Sequence, residues 1–301
     1  MLTKDGLSGL VPALVTPTDR DGALNWEAFA QLIEYVLENG SHGLLAVGGT
    51  GEYMGLPAKE RVRVVAACSE IANGRAPVIA GVLTPCLPDA IDEARSFLSA
   101  GADAIMLVEP YYNRLTQDGI IGYITSFLDG VGCPLLLYDI PYRTGVRMAP
   151  ETIATLVEQN ETIIGMKMSN PDMADYGRTM DAVADRLSVL TGEEHLFVDH
   201  MLGGAKGAII ATNNLVPQAW SSIYEALVHG RHEEARALHR ALVPLIDAAF
   251  SSTNPGPLKA ALPAVGIEAG PLLPGLPSPA KSTVEGLLAL AAPYIAAPRP
   301  D

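Results

Sequence analysis

The sequence predicts a closed (β/α)8 TIM barrel of the α/β class with a C-terminal helical extension. Two observations lead to it. Short, near-continuous runs of Val, Ile, Leu and Ala recur eight times before about residue 230, as strands buried on both faces require. Longer amphipathic segments with helix punctuation alternate with them. Eight strict alternations favour closure over an open doubly wound sheet. The units follow one another at about 20–35 residues without self-similar sequence, so no solenoid is expected.

The strand-like runs are 9–17, 43–49, 77–82, 104–110, 134–141, 163–169, 187–191 and 207–212. Asn25 precedes the first helical pattern as a candidate N-cap, and Gly40 stands at its end. Segment 59–73 stops at Gly74 and segment 88–100 at Gly101, while 150–159 opens with proline in its first turn. The apolar stripe within 29–37 is core. Beyond residue 230 the pattern changes. Segments 232–251 and 281–292 read as helices, and the Pro/Gly-rich stretch 255–279 between them reads as a linker. Residues 1–230 are therefore expected to form the catalytic barrel and 231–301 a C-terminal helical region.

Of the 301 residues, 49% are hydrophobic and 18% charged, with a mean hydropathy of +0.22, which excludes a disordered chain. Twenty basic against 34 acidic residues give a net charge of −14, a surface that repels phosphate backbones and anionic lipid. No nucleic-acid or membrane partner is expected. An anionic small molecule stays compatible, because one buried cation creates a local positive site. The three cysteines, Cys68, Cys86 and Cys133, form no C-x-x-C, arguing against a disulfide framework or thiolate zinc site and for a reducing compartment. The first residues lack a signal-peptide pattern, and no apolar run reaches the ~20 residues of a membrane span. A cytoplasmic location is the expectation.

In such a barrel the chemistry belongs at the C-terminal ends of the strands. The second strand runs into Gly48-Gly49-Thr50-Gly51-Glu52 before a helix, a place where backbone N–H groups can meet an anion; the alternative is a tight turn without a ligand. The dinucleotide fingerprint fails, because Met54 stands where its third glycine would fall. Of six lysines, Lys4, Lys59, Lys206, Lys259 and Lys281 lie in polar or loop surroundings, whereas Lys167 sits inside an apolar strand. Burial lowers an ammonium's pKa, and a neutral amine can attack a carbonyl to form a Schiff base. The alternative is a lysine paired with a buried carboxylate. Tyr138 closes the fifth strand, placed to pass a proton near Lys167, and Arg143 just beyond it suits a substrate carboxylate. A core hydroxyl and a surface arginine are the plain readings. Tyr111 and Tyr112 read first as packing or interface residues. Glu193, Glu194, His195, Asp199 and His200 allow a metal reading, but they lack the H-E-x-x-H spacing and acidic residues commonly open helices. His229, Arg231 and His232 read as an exposed turn.

Five motifs in this order carry a resemblance: GGTGE at 48–52, PYYNR at 110–114, YDIPYRTG at 138–145, IIGMK at 163–167 and LGGAKGAI at 202–209. The chain resembles the dihydrodipicolinate synthase / N-acetylneuraminate lyase family of class I aldolases over roughly residues 8–295. The resemblance implies a barrel, a dimer of dimers, and no metal or organic cofactor. It implies that Lys167 is the Schiff-base lysine for pyruvate or another 2-oxo acid and Tyr138 the proton-transferring tyrosine. Thr50 with the Gly49 backbone would cradle the carboxylate, and Ile209 would line the substrate pocket. Tyr112 would be lent to a neighbour's site, and Arg143 would bind a second substrate's carboxylate, as in the synthases. The nearest named activity is 4-hydroxy-tetrahydrodipicolinate synthase; the alternative is a 2-keto-3-deoxy sugar acid aldolase or dehydratase, or a related deaminating lyase. Gly49 stands where synthases commonly carry a first threonine, removing a hydroxyl between Tyr138 and Tyr112. Met168, Ser169 and Asn170 follow the lysine in place of the common Glu-Ala-Thr. Ala58, Arg61 and Pro85 replace residues found in some lysine-inhibited members.

Overall fold

The computed structural model describes residues 2–295. Eight parallel strands form one sheet: β1 (Gly9–Pro12), β2 (Leu44–Ala46), β3 (Val78–Val82), β4 (Ala104–Val108), β5 (Leu135–Asp139), β6 (Ile163–Met168), β7 (Ser188–Thr191) and β8 (Gly207–Ile210). Each lies inside the run predicted for it, with loops trimming the ends. Their order is β1-β8-β7-β6-β5-β4-β3-β2. A parallel bridge between Ala13 and Leu45 joins the two ends, so the barrel closes. Closure leaves no free edge, and every strand residue is buried, which is why the runs are continuous rather than alternating.

The helices are α1 (Trp26–Glu38), α2 (Ala58–Ala72), α3 (Leu87–Ser99), α4 (Gln117–Val131), α5 (Pro141–Thr144), α6 (Pro150–Gln159), α7 (Met173–Val183), α8 (Phe197–Leu202), α9 (Pro217–Val228), α10 (His232–Phe250), α11 (Gly256–Ala261) and α12 (Lys281–Ala291). The local signals act as expected. Asn25 caps α1 by accepting from the Ala28 N–H at 3.1 Å, and α1 turns Phe29, Leu32, Ile33 and Val36 inward. Gly40 follows at φ +93°, a conformation that glycine adopts without strain. Among the described residues no helix is long and apolar enough to cross a membrane.

The stretch 255–279 is a correction. It is not a linker: α11 lies within it, and Leu258, Ala261, Leu262, Ile267 and Ala269 are buried. The Ala269 carbonyl accepts from Thr18 N and the Pro271 carbonyl from Thr18 Oγ1, so the segment is pinned over the β1–α1 loop at the catalytic end. Its prolines and glycines shape a packed path instead of a free one; composition alone does not separate the two.

Candidate active site

Side chains alternate in and out along each barrel strand. On β6 this sends Met166 and Met168 outward into the helix layer and Lys167 inward. On β5 it sends Tyr138 inward and Asp139 outward. The register pairs Tyr138 directly with Lys167, and the Lys167 Nζ lies 4.7 Å from the centre of the Tyr138 ring. Gly192, just after β7, makes room for Lys167 and Ser169. A Cβ there would lie 2.7 Å from Lys167 Cε and collide with Ser169 Oγ. Sequence reading did not single out this glycine.

Lys167 is 8% exposed, and among the described residues no carboxylate forms an ion pair with it. Burial pulls its pKa down to about 8, against the weaker opposing pull of Glu194 and Glu193. Burial pushes the Tyr138 phenol far up, so it holds its proton at neutral pH. The lone pair needed for attack and the proton needed afterwards therefore sit side by side.

The glycine loop is held from two directions. Val47 (φ 49°) and Glu52 (φ 57°) flank it in left-handed conformations, which are costly for such residues and are kept only where packing enforces them. Asn254 Nδ2 donates to Thr50 Oγ1 at 3.0 Å. Buried Glu52 accepts from Lys259 Nζ at 2.6 Å and from the Leu273 N–H at 2.6 Å. The expectation that Lys259 lies in polar or loop surroundings is therefore overturned. It is 1% exposed and is the buried ion-paired lysine, the role weighed against catalysis for Lys167.

Two connected cavities occupy this end of the barrel. The inner one, about 70 Å³, is lined by Thr50, Lys167, Ser169, Glu194 and Ile209 among others. The outer one, about 580 Å³, is largely apolar, walled by Tyr53, Met54, Leu83, Tyr111 and Leu273. Gly49, Tyr138, Ile140, Tyr142, Arg143 and Asn254 line both. Predicted residues Lys167, Tyr138, Gly49, Thr50, Arg143 and Ile209 thus converge. Arg143, on α5, is exposed, and among the described residues no carboxylate pairs with it. Tyr112 does not join them. It is 90% exposed and lines neither cavity.

The residues of the metal reading diverge. His195 bonds Asp247 at the surface, 2.8 Å away, while buried His200 bonds Thr191 Oγ1 at 2.7 Å and stacks on Tyr176. Glu194 accepts from the backbone N–H groups of Ala211 and Thr212. Among the described residues no three His, Cys, Asp or Glu side chains gather as a metal site.

Sequence reading also missed Asn254 and Glu194 as chamber residues, and a pair of carboxyl groups behind the wall. Glu109 and Asp139 follow the paired residues Val108 and Tyr138 at the ends of β4 and β5, and both are buried. Among the described residues neither Glu109 oxygen has a hydrogen-bond partner, and one Asp139 oxygen lacks one. Burial, reinforced by the Asp139 charge at Glu109 and by the Asp175 charge at Asp139, pushes Glu109 up to about 8 and Asp139 up to about 7. The nearby Thr144 hydroxyl opposes this at Glu109, and the Met148 N–H with Arg147 opposes it at Asp139.

The chain matches the model of the dihydrodipicolinate synthetase family over residues 6–287. It is 38% identical over 259 residues to a 4-hydroxy-tetrahydrodipicolinate synthase of Nitrosococcus oceani, covering 86% of this chain and 88% of that one. It is 36% identical over 280 residues to the Methanopyrus kandleri protein of the same name, covering 93% of each. The crystal structure of the chloride-inhibited dihydrodipicolinate synthase from Acinetobacter baumannii, complexed with pyruvate, superposes with a TM-score of 0.90 at 33% identity, covering 96% of this chain and 99% of that one. Family match, barrel and lysine–tyrosine pair agree: the chain belongs to the dihydrodipicolinate synthetase family.

Proposed function

We propose that the chain is a Schiff-base lyase acting on pyruvate or another 2-oxo acid, with 4-hydroxy-tetrahydrodipicolinate synthase as the nearest named activity. The carrying observation is the buried Lys167, unpaired among the described residues, beside Tyr138 in the inner cavity of about 70 Å³. The neutral Nζ adds its electron pair to the ketone carbon. Water then leaves as the iminium forms, its oxygen coming from the ketone. The iminium draws electrons from C3, a proton leaves C3, and the resulting enamine attacks an aldehyde arriving from the outer cavity. Tyr138 supplies and recovers protons at these steps. Thr50 and the Gly49 backbone receive the carboxylate, Ile209 walls the chamber, and Arg143 faces the second substrate's acid group. The scheme needs no metal or organic cofactor.

The exposure of Tyr112 supports a homo-oligomer, a dimer of dimers, in which this side chain serves a neighbouring subunit. Three cysteines without disulfides fit a reducing, cytoplasmic setting.

The test is borohydride reduction in the presence of pyruvate, followed by intact mass and peptide mapping. A pyruvate-sized adduct on Lys167 is expected. A folded protein that captures no 2-oxo acid on Lys167 overturns the reading.

A further inference from the structure

We infer that Asn254 is a positioning residue for the donor substrate: by donating to the Thr50 oxygen, its amide reserves the Thr50 hydroxyl hydrogen for the carboxylate of the 2-oxo acid. This rests on the Schiff-base reading above and names what sets the polarity of its carboxylate cradle.

A threonine hydroxyl holds one hydrogen and two lone pairs, so what it offers a ligand depends on what its neighbours take. Asn254 Nδ2 donates to Thr50 Oγ1 at 3.0 Å, which occupies a lone pair and leaves the hydrogen. Among the described residues that hydrogen has no acceptor, and the N–H groups of Gly49 and Thr50 have none either. Gly49, Thr50 and Asn254 line the same inner cavity as Lys167. Three uncommitted donors therefore belong to two residues of the wall around the amine. A carboxylate only accepts hydrogen bonds, and bonds to a charged acceptor are the strong ones.

Stability does not account for Asn254. Its Oδ1 is buried and has no hydrogen-bond partner among the described residues, a cost that an apolar side chain of the same shape would avoid. The other fastener of the glycine loop differs. Lys259 Nζ takes one oxygen of Glu52 and the Leu273 N–H takes the other, so that carboxylate is satisfied on both atoms. Asn254 is satisfied only toward Thr50. The loop between α10 and α11 thus brings an amide 204 positions along the chain to one hydroxyl of the cradle.

A carboxylate at 254 reverses this polarity at nearly constant shape. The Thr50 hydrogen then turns to residue 254, its lone pairs face the substrate, and a second anion stands beside the first.

The experiment follows borohydride capture on Lys167 against pyruvate concentration in the full-length protein. It is run at pH 9, above the range to which burial raises Glu109 and Asp139 at this end of the barrel, with each variant's fold checked by circular dichroism. Asn254→Asp is expected to raise the half-saturating pyruvate concentration about tenfold or more, with the plateau rate kept within about threefold. Asn254→Leu is expected to raise it by about threefold. In Thr50→Val, which lacks the hydroxyl, Asn254→Leu is expected to add nothing. Half-saturation in Asn254→Asp within about twofold of the wild type overturns the inference, because the amide would then be accepting from Thr50. An equal Asn254→Leu effect with and without the Thr50 hydroxyl also overturns it and marks a packing role, as does a fall in the plateau alone. In each of these cases the Schiff base stands; no adduct on Lys167 in the wild type overturns both readings.

Discussion

Two lysines lie almost fully buried at the same end of the barrel, Lys167 on β6 and Lys259 on α11, and their surroundings differ in one respect. Glu52 meets Lys259 at 2.6 Å; no carboxylate pairs with Lys167 among the described residues. Burial lowers both amines. At Lys259 a direct hydrogen bond and charge from Glu52 oppose the shift; at Lys167 only Glu193 and Glu194 oppose it, through space. Burial makes a lysine expensive, and the partner decides what it is for. A paired one clamps the chain, and an unpaired one keeps its lone pair for chemistry.

The largest effect that sharpens this contrast is in activity. Lys167→Ala should abolish capture of any 2-oxo acid and turnover to the detection limit, with an unchanged circular dichroism spectrum. Retained adduct formation on another residue would break the assignment. Next comes stability. Lys259→Ala leaves the Glu52 carboxylate buried and unpaired, and should cost about 3–5 kcal/mol in urea unfolding. Adding Glu52→Gln, which keeps an acceptor for the Leu273 N–H, should recover much of that loss. A single variant as stable as the wild type would mean the clamp carries nothing.

The smallest effect is in pH. Capture by Lys167 should accelerate roughly tenfold per pH unit below about 8 and level off above it, as its neutral fraction saturates. Stability should move the opposite way. Glu109 and Asp139 hold their protons in the fold well above the ordinary carboxylate range. The stability they contribute is complete below the unfolded carboxylate pKa and is lost as pH rises through about 7 to 8. Thermal melts across pH 5 to 9 should show Tm falling over that window in the wild type and a smaller fall in Glu109→Gln. Equal falls would place the effect elsewhere.

Much of this was readable before any coordinates. The eight strands were legible because two-sided burial writes itself as unbroken aliphatic runs, and α6 because its proline start is a local signal. Lys167 stood out as a charge inside such a run. Lys259 did not: the residues around it read as loop, and its partner is 207 positions away. Glu109 reads as a polar strand end until the fold buries it. Asn254 carries no local mark of its bond to Thr50. Tyr112 gained its expected role only from the family resemblance, since its own chain gives it no contact with the cavities. Local chemistry is legible in sequence; pairings made across the barrel are not.

The Glu52–Lys259 clasp has a consequence for the order in which the molecule is made. The glycine loop emerges within the first fifth of synthesis, yet the residues that fasten it, Asn254, Lys259 and Leu273, emerge near the end. Closing so long a span carries a large entropic toll, and such contacts form late. A nascent chain stalled before residue 254 can carry all eight strands and still lack a fastened carboxylate cradle. Catalytic competence is therefore coupled to completion of the polypeptide.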